Sequence, residues 1–263
     1  MLHGGGPEEI ELTGGGTTRV VRVGQTVRRP AKPWSPAIRE LIRQLRTAGV
    51  AAVSAWHGID EQGRDVFDFI PGDVGHYPLP AHVRSDRALV TAARLLRQLH
   101  DASVSLLDGR ARPWQFPPME PVEVICHGDF APYNCIFRNG EAVGVFDFDA
   151  ARPGPRRWDL GYALYRFAPL TSPTNGDGFG GPVEQGRRAR LFLDAYGCSP
   201  GQRREALETV VPRLRDLISF MHSAADRGDP NFARHIEDGH DRLYLTDIAY
   251  VEAQLPKWTP ILV

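Results

Sequence analysis

The segment His127-Gly128-Asp129-Phe130-Ala131-Pro132-Tyr133-Asn134 carries the residues of this 263-residue chain best suited to chemistry. Asp147 follows thirteen residues after Asn134, inside Phe146-Asp147-Phe148-Asp149. Each segment lies on or directly after a short apolar run, residues 122–126 and 142–146, that reads as a strand. A strand end fixes its backbone while its polar side chains project at the sheet edge. Two carboxylates and one amide can therefore converge on a single point. Hard oxygen ligands of that kind suit Mg²⁺, which keeps several waters and takes one or two carboxylates together with substrate phosphates. Asp129 is then left to accept the proton of a substrate hydroxyl.

Those two strands need surroundings, and the pattern along the chain supplies them. Up to about residue 70 the segments are short and β-like. Residues 9–12 alternate and run into Thr13-Gly14-Gly15-Gly16-Thr17-Thr18, residues 19–23 return, Gly24-Gln25 turns, and 26–29 form the next strand. Pro30, Pro33 and Pro36 punctuate the exit, and Ser35 is placed to cap a helix with Pro36 at its first position. Ile38, Leu41, Ile42 and Leu45 give that helix one apolar face, and Gly49 ends it. A second hairpin is expected over 51–56 and 64–70, turning at Asp60-Glu61-Gln62-Gly63. After residue 85 helical spacing takes over. Asp86 is a cap candidate before Leu89, Ala92, Leu96 and Leu99, and Leu160, Ala163, Leu164 and Phe167 mark another helix. A long stripe runs from Leu207 to Met221, with Pro212 placed to kink or split it, and a last helix is expected over 243–255. Residues 171–182 hold four glycines and two prolines and read as a loop. The expectation is an α+β chain: residues 1–70 as a small antiparallel sheet with one helix, residues 71–263 as a larger, mainly helical lobe.

Composition sets outer limits. Hydrophobic residues make 42% and charged residues 24%, an ordinary balance for a chain with a real core. Lys+Arg 31 against Asp+Glu 32 leaves −1, which argues against nucleic-acid binding through bulk charge. No run approaches the ~20 apolar residues of a membrane span, and the first residues lack the features of a signal peptide. Cys126, Cys135 and Cys198 are too few for a disulfide framework, so a reducing cytoplasm is the expected compartment. Lys32 and Lys257 are the only lysines, and a mechanism that requires one has almost nowhere to find it.

The string H-G-D-x-x-x-x-N followed by D-x-D resembles the aminoglycoside phosphotransferase and choline kinase family. Its members are relatives of the protein kinases, whose own pattern is H-R-D-x-x-x-x-N and then D-F-G. Asp129 and Asn134 have the kinase spacing. The resemblance extends over most of the chain. The order strand, Gly-rich turn, strand, turn, strand, helix, hairpin is the family's. Leu96-Arg97-Gln98-Leu99-His100 matches its L-x-x-L-H helix end, and the segment from Gly154 to Gly161 matches G-x-x-x-x-D-L-A with Gly161 in place of the alanine. This resemblance implies a two-lobed protein-kinase-like fold and an enzyme that moves the γ-phosphoryl of ATP or GTP onto a small-molecule hydroxyl, with Mg²⁺ as cofactor. It implies Asp129 as the catalytic base, Asn134 and Asp147 as Mg²⁺ ligands, His127 packed beneath the loop, and Asp159 hydrogen-bonded to the loop from behind. On the nucleotide side it implies phosphate contacts from the amides of Gly15 and Gly16. Arg28 takes the place of the strand lysine, where a permanent charge and forked donors suit phosphate. Lys32, between prolines, is a poor substitute. The backbone at Asp68 and Ile70 would supply the base-edge hydrogen bonds. Glu40 is the helix glutamate available to orient the arginine, and it is equally readable as a solvated residue.

In this family acceptor specificity lies in the C-terminal helices. Asp226, Asp229, Glu237, Asp238 and Asp241 form an acidic stretch offset by Arg227 and Arg234. That stretch favours an aminoglycoside or other amine if it lines the site, and is a solvated face if it does not. Asp149 reads as a turn cap or as a third ligand. Arg152, Arg156 and Arg157 read as loop solvation, with an anionic substrate as the sharper alternative. Cys126 and Cys135 read as inert core thiols. The expected partner is a small-molecule hydroxyl acceptor, without nucleic acid or membrane. A competing function is an inactive nucleotide-binding or immunity-type module on the same fold, for which the missing lysine and the ambiguous Glu40 speak. Metal-dependent hydrolysis through His127 and Asp129 fits poorly, since no other histidine sits at ligand spacing.

Overall fold

Period-two alternation organises the front of the molecule. In the computed structural model, which describes residues 8–12 and 19–263, β1 (Glu9–Leu12), β2 (Val20–Val23), β3 (Thr26–Pro30), β4 (Trp56–Ile59) and β5 (Arg64–Asp68) form one antiparallel sheet in the order β1-β2-β3-β5-β4. Gly24 at φ 61° lets β2 turn into β3 in two residues. The helix α1 (Ser35–Thr47) buries Ile38, Leu41, Ile42 and Leu45. Its start differs from the expected cap. Ser35 is already helical and its Oγ accepts from the Lys32 amide at 2.9 Å, so it closes the preceding turn. The second hairpin begins later than expected, at Trp56. Residues 51–54 stay out of the sheet because Ala52 and Val53 are drawn to another strand, with the Val145 amide donating to the Ala52 carbonyl at 3.0 Å.

Two small sheets then set the chemistry. After β6 (Asp73–Val74), α2 (Ala81–Arg84) and α3 (Asp86–Ser103), β7 (Val124–Cys126) pairs antiparallel with β10 (Arg152–Gly154). Between them β8 (Cys135–Arg138) and β9 (Glu141–Val145) form a hairpin, flanked by β6 on the β8 side. The turn of that hairpin uses Asn139 and Gly140, both at positive φ. Ser85, not Asp86, caps α3: its Oγ accepts from the Ala88 amide at 3.2 Å, which leaves Asp86 as a first-turn acid on the favourable end of the helix dipole.

Five helices complete the chain: α4 (Arg156–Phe167), α5 (Pro182–Tyr196), α6 (Pro200–Asp226), α7 (Pro230–Glu237) and α8 (His240–Leu262). α5 and α7 go beyond the sequence reading. α6 runs unbroken through Pro212, because packing against α4 and α8 offsets the hydrogen bond lost there. At Gly161 the backbones of α4 and α6 approach closely. A Cβ there would lie 3.1 Å from the Thr209 carbonyl carbon, so the alanine of the family pattern would not fit without movement. One apolar core runs from α1 through α3 into α4, α5 and α6. The three cysteines are buried and unpaired, Cys135 and Cys198 in this core and Cys126 in a small cluster with Val124 and Trp158, and no helix among the described residues is long and apolar enough to cross a membrane.

Candidate active site

The loop after β7 is held from behind by its own amides. Asp159, fully buried in the first turn of α4, accepts from the His127 amide at 2.6 Å and the Gly128 amide at 2.8 Å, with His100 Nε2 3.0 Å away. Burial alone would raise this carboxyl. The His100 contact and the amide donors outweigh it and hold Asp159 below its ordinary value. His100 Nδ1 lies 2.7 Å from the Tyr196 hydroxyl, and Arg213 Nη2 donates to the Gly128 carbonyl at 2.8 Å. Three helices, α3, α4 and α6, thus clamp one loop. Gly128 sits at φ +82°, and a Cβ would collide with the Ala150 carbonyl. His127 lies under the loop with its Nε2 3.0 Å from the Phe146 carbonyl and its ring against Phe130 and Phe148.

Asp129 and Asn134 are joined directly. The Asn134 side-chain amide donates to the Asp129 carbonyl at 2.9 Å and to Asp129 Oδ2 at 2.8 Å, which leaves Asn134 Oδ1 as an oxygen for a cation. The β8-β9 register sets Cys135 opposite Val145, and the Phe146 amide donates to the Asn134 carbonyl at 3.0 Å. Asp147 therefore comes next to Asn134. It adopts the left-handed conformation, φ 62° and ψ 64°, which aspartate tolerates better than most residues. Desolvation by the cleft walls pushes the half-exposed Asp147 carboxyl above its usual range. Arg29 opposes this and the charges of Asp149 and Asp129 add to it. Such a gathering of acidic oxygens fits a divalent cation. Among the described residues no three His, Cys, Asp or Glu side chains form a metal cage of their own. A cation here would draw its remaining ligands from phosphates and water.

The nucleotide side requires a correction. Val27 and Arg29 line a cleft of about 380 Å³ that also contains Asn134 and Asp147. Arg28 falls on the opposite face of β3, donating to Thr26 Oγ1 at 2.5 Å with its Nε 3.6 Å from Asp60. A one-residue difference in register moves a strand side chain to the other face, so Arg29 is the arginine inside the cleft. Its Nη1 lies 3.6 Å from Asp147 Oδ1 and its Nη2 2.5 Å from Asp149 Oδ1. Glu40 meets neither arginine of β3. Arg112 binds it in a fork, Nε and Nη2 each 2.9 Å from a carboxylate oxygen. Asp68 and Ile70 both line the cleft. The Asp68 amide already donates to the Ala55 carbonyl at 3.0 Å, so its carbonyl is what it can offer a base. Gly15 and Gly16 lie outside the described residues; Leu12 and Val20, at the paired ends of β1 and β2, line the cleft.

Next to Asp129 stand groups the sequence reading did not single out. Tyr133 donates its hydroxyl to Asp129 Oδ1 at 2.7 Å and lies 2.8 Å from the Tyr162 hydroxyl. Burial, reinforced by the charge of Asp129, keeps the Tyr133 hydroxyl protonated well above the usual phenol range. Arg166 stands behind, its Nε donating to the Tyr162 hydroxyl at 3.1 Å and its Nη2 to Tyr244 at 3.0 Å, with Tyr77 and Tyr165 also around it. Five tyrosines surround one buried arginine: Tyr162 and Tyr165 share α4 with it, while Tyr77, Tyr133 and Tyr244 arrive from distant segments that no local period links. The acidic stretch lies elsewhere. Asp229 caps α7, Asp241 is 3.2 Å from His222, and Asp226, Glu237 and Asp238 are exposed. Arg156 is bound to Asp101 at 2.8 Å.

Known proteins resemble this chain in the same region. Residues 105–206 match the phosphotransferase enzyme family (APH). The trifolitoxin immunity protein of Rhizobium leguminosarum bv. trifolii is 34% identical over 229 residues, covering 84% of each chain. Among solved structures, the ethanolamine kinase of Plasmodium vivax superposes with a TM-score of 0.67 at 12% identity, over 94% of this chain and 84% of that one. The amicoumacin kinase hAmiN, in complex with AMP-PNP, Ca²⁺ and Ami, gives 0.64 at 12% identity, over 95% and 88%. Both likenesses are of fold.

Proposed function

The chain belongs to the phosphotransferase enzyme family, and from that premise we propose that it transfers the γ-phosphoryl group of ATP or GTP to a hydroxyl of a small molecule. The observation that carries this reading is the meeting of Asp129 with Asn134, and of Asn134 with the Asp147 segment, beside a cleft lined largely by apolar side chains. In it, residues 1–70 bind the nucleotide and residues 71–263 supply the base and the acceptor site. Val27, Phe67, Ile70 and Val145 would enclose the base, and Arg29 would hold the phosphates. Asn134 Oδ1 and Asp147 would ligate Mg²⁺, which when bound neutralises charge on the phosphoryl oxygens. Asp129, held in place by Asn134 and Tyr133, orients the acceptor hydroxyl and takes its proton. Positioning and electrostatics then do most of the catalysis.

The acceptor is read from what surrounds Asp129. Tyrosine hydroxyls and Arg166 stand there, Asp177 and Asp247 are engaged by that same cluster, and none of the acidic residues between 226 and 241 lines the cleft. This supports an uncharged or only weakly cationic acceptor over a polycationic amino sugar. A second reading, an immunity-type module that binds nucleotide without transferring phosphate, is favoured by the immunity protein named among its relatives. It also draws on the Asp129 carboxylate, whose two oxygens both already accept hydrogen bonds. A screen of ATP and GTP consumption over amino alcohols, amino sugars, nucleosides and macrolides, with and without Mg²⁺, separates the two. Mg²⁺-dependent, acceptor-dependent consumption supports the kinase. Tight nucleotide binding with no consumption on any acceptor supports the module.

A further inference from the structure

A phosphate-binding arginine needs a counter-charge that fixes its direction, and the obvious supplier is absent. The face of α1 toward the cleft carries Ile38 and Ile42. Glu40 belongs to Arg112, and Arg39 is paired with Asp65 at 2.7 Å. Asp65 is further bound by the Trp56 indole at 2.8 Å. The carboxylate that does reach Arg29 comes from the other side of the cleft. Asp149 lies in the single helical turn of residues 148–150, closed by the Ala151 amide donating to the Phe148 carbonyl at 2.9 Å. The left-handed backbone at Asp147 bends the chain so that two carboxylates only two residues apart both face the same guanidinium. Asp149 is the nearer, and a quarter of its side chain is exposed.

We propose that Asp149 is a positioning residue for nucleotide binding: it holds Arg29 toward the phosphates from the catalytic side of the cleft, in place of a helix glutamate. The inference rests on the phosphotransfer reading and adds to it a division of labour between two neighbouring aspartates. Asp147 faces the cation, and Asp149 faces the arginine. With Asp147 committed to a cation, Asp149 is the carboxylate that remains within reach of Arg29 among the described residues. The same turn abuts Gly128, since Ala150 is the residue a Cβ at Gly128 would strike. A contact with the nucleotide arginine is thereby tied mechanically to the loop that carries the base.

The test is the affinity of the full-length protein for ADP, measured by calorimetry in EDTA and again in Mg²⁺, for the unaltered chain, D149N, D149E, R29A and the R29A/D149N pair. A residue that positions Arg29 acts with or without metal. D149N should therefore weaken ADP about tenfold in both buffers, D149E should restore most of the loss, and R29A/D149N should bind no worse than R29A. Asp149→Ser serves where the asparagine variant folds poorly. Weakening confined to the Mg²⁺ buffer would make Asp149 a metal ligand and overturn the proposal. So would additive losses in the double variant, or unchanged ADP binding by D149N. If the unaltered protein binds neither ADP nor GDP, the phosphotransfer reading itself fails, an outcome distinct from a D149N that binds normally.

Discussion

At the scale of single residues, the site is a set of side chains whose roles are assigned by what each touches. Asp129 is fixed by two donors, Asn134 and Tyr133. On a proven acceptor, Asp129→Asn should fold normally and lose about 10²–10⁴ in turnover, the usual range for a general base. Equal steady-state turnover in the two proteins would dismiss the base. The register of β3 makes a second prediction. Arg29→Ala should weaken ADP binding roughly 10- to 100-fold, the weight of a lost charge-assisted hydrogen bond. Arg28→Ala should leave it within about twofold, since Arg28 answers to Asp60 on the far face. Reversed results from titration calorimetry would restore Arg28 to the cleft.

At the scale of elements, the loop that carries Asp129 is held by contacts between segments distant in sequence. Gly128 combines a positive φ with the Ala150 carbonyl at its back. Gly128→Ala should cost about 1–3 kcal/mol in a urea melt and displace Asp129. A stability within a few tenths of the parent would show that the loop has slack. Asp159 gives a pH-dependent counterpart. Its folded pKa lies below the ordinary value of 3.8, so the stability it confers is fully present above the unfolded pKa and fades as pH falls through the folded one. Asp159→Asn should therefore destabilise by about 3 kcal/mol or more at pH 7, with the gap to the parent narrowing below roughly pH 4. A gap that stays constant from pH 7 to pH 3 contradicts an Asp159 carboxylate stabilised by the fold.

At the scale of the whole molecule, the cleft is bounded in front by β3 and β5 and behind by the β8-β9 hairpin. Arg29 crosses it to reach Asp147 and Asp149. A nucleotide bound there touches both sides and stabilises their joint folding. At a concentration 100 times its dissociation constant, MgADP should add about 2.7 kcal/mol and raise the melting temperature by roughly 5–10 °C. Differential scanning fluorimetry reads this directly, and a melting temperature indifferent to saturating nucleotide would speak against a site spanning the cleft.

Local order set much of this molecule before any tertiary contact. The apolar stripe of α1, the turn at Gly24, and the Asp129, Asn134 and Asp147 spacing follow from periodicity and strand ends, which are properties of neighbouring residues. Other features needed the folded chain. Whether Arg28 or Arg29 enters the cleft depends on which face of β3 meets the second lobe, and two adjacent arginines carry no local mark of that. The partners of Glu40 and Asp149 lie 72 and 120 residues away, and the tyrosines around Arg166 come together from α4, α8 and two loop positions. Periodicity tells a side chain which face of its own element it shares. Only packing decides what that face meets, because the pairing energy belongs to two segments at once.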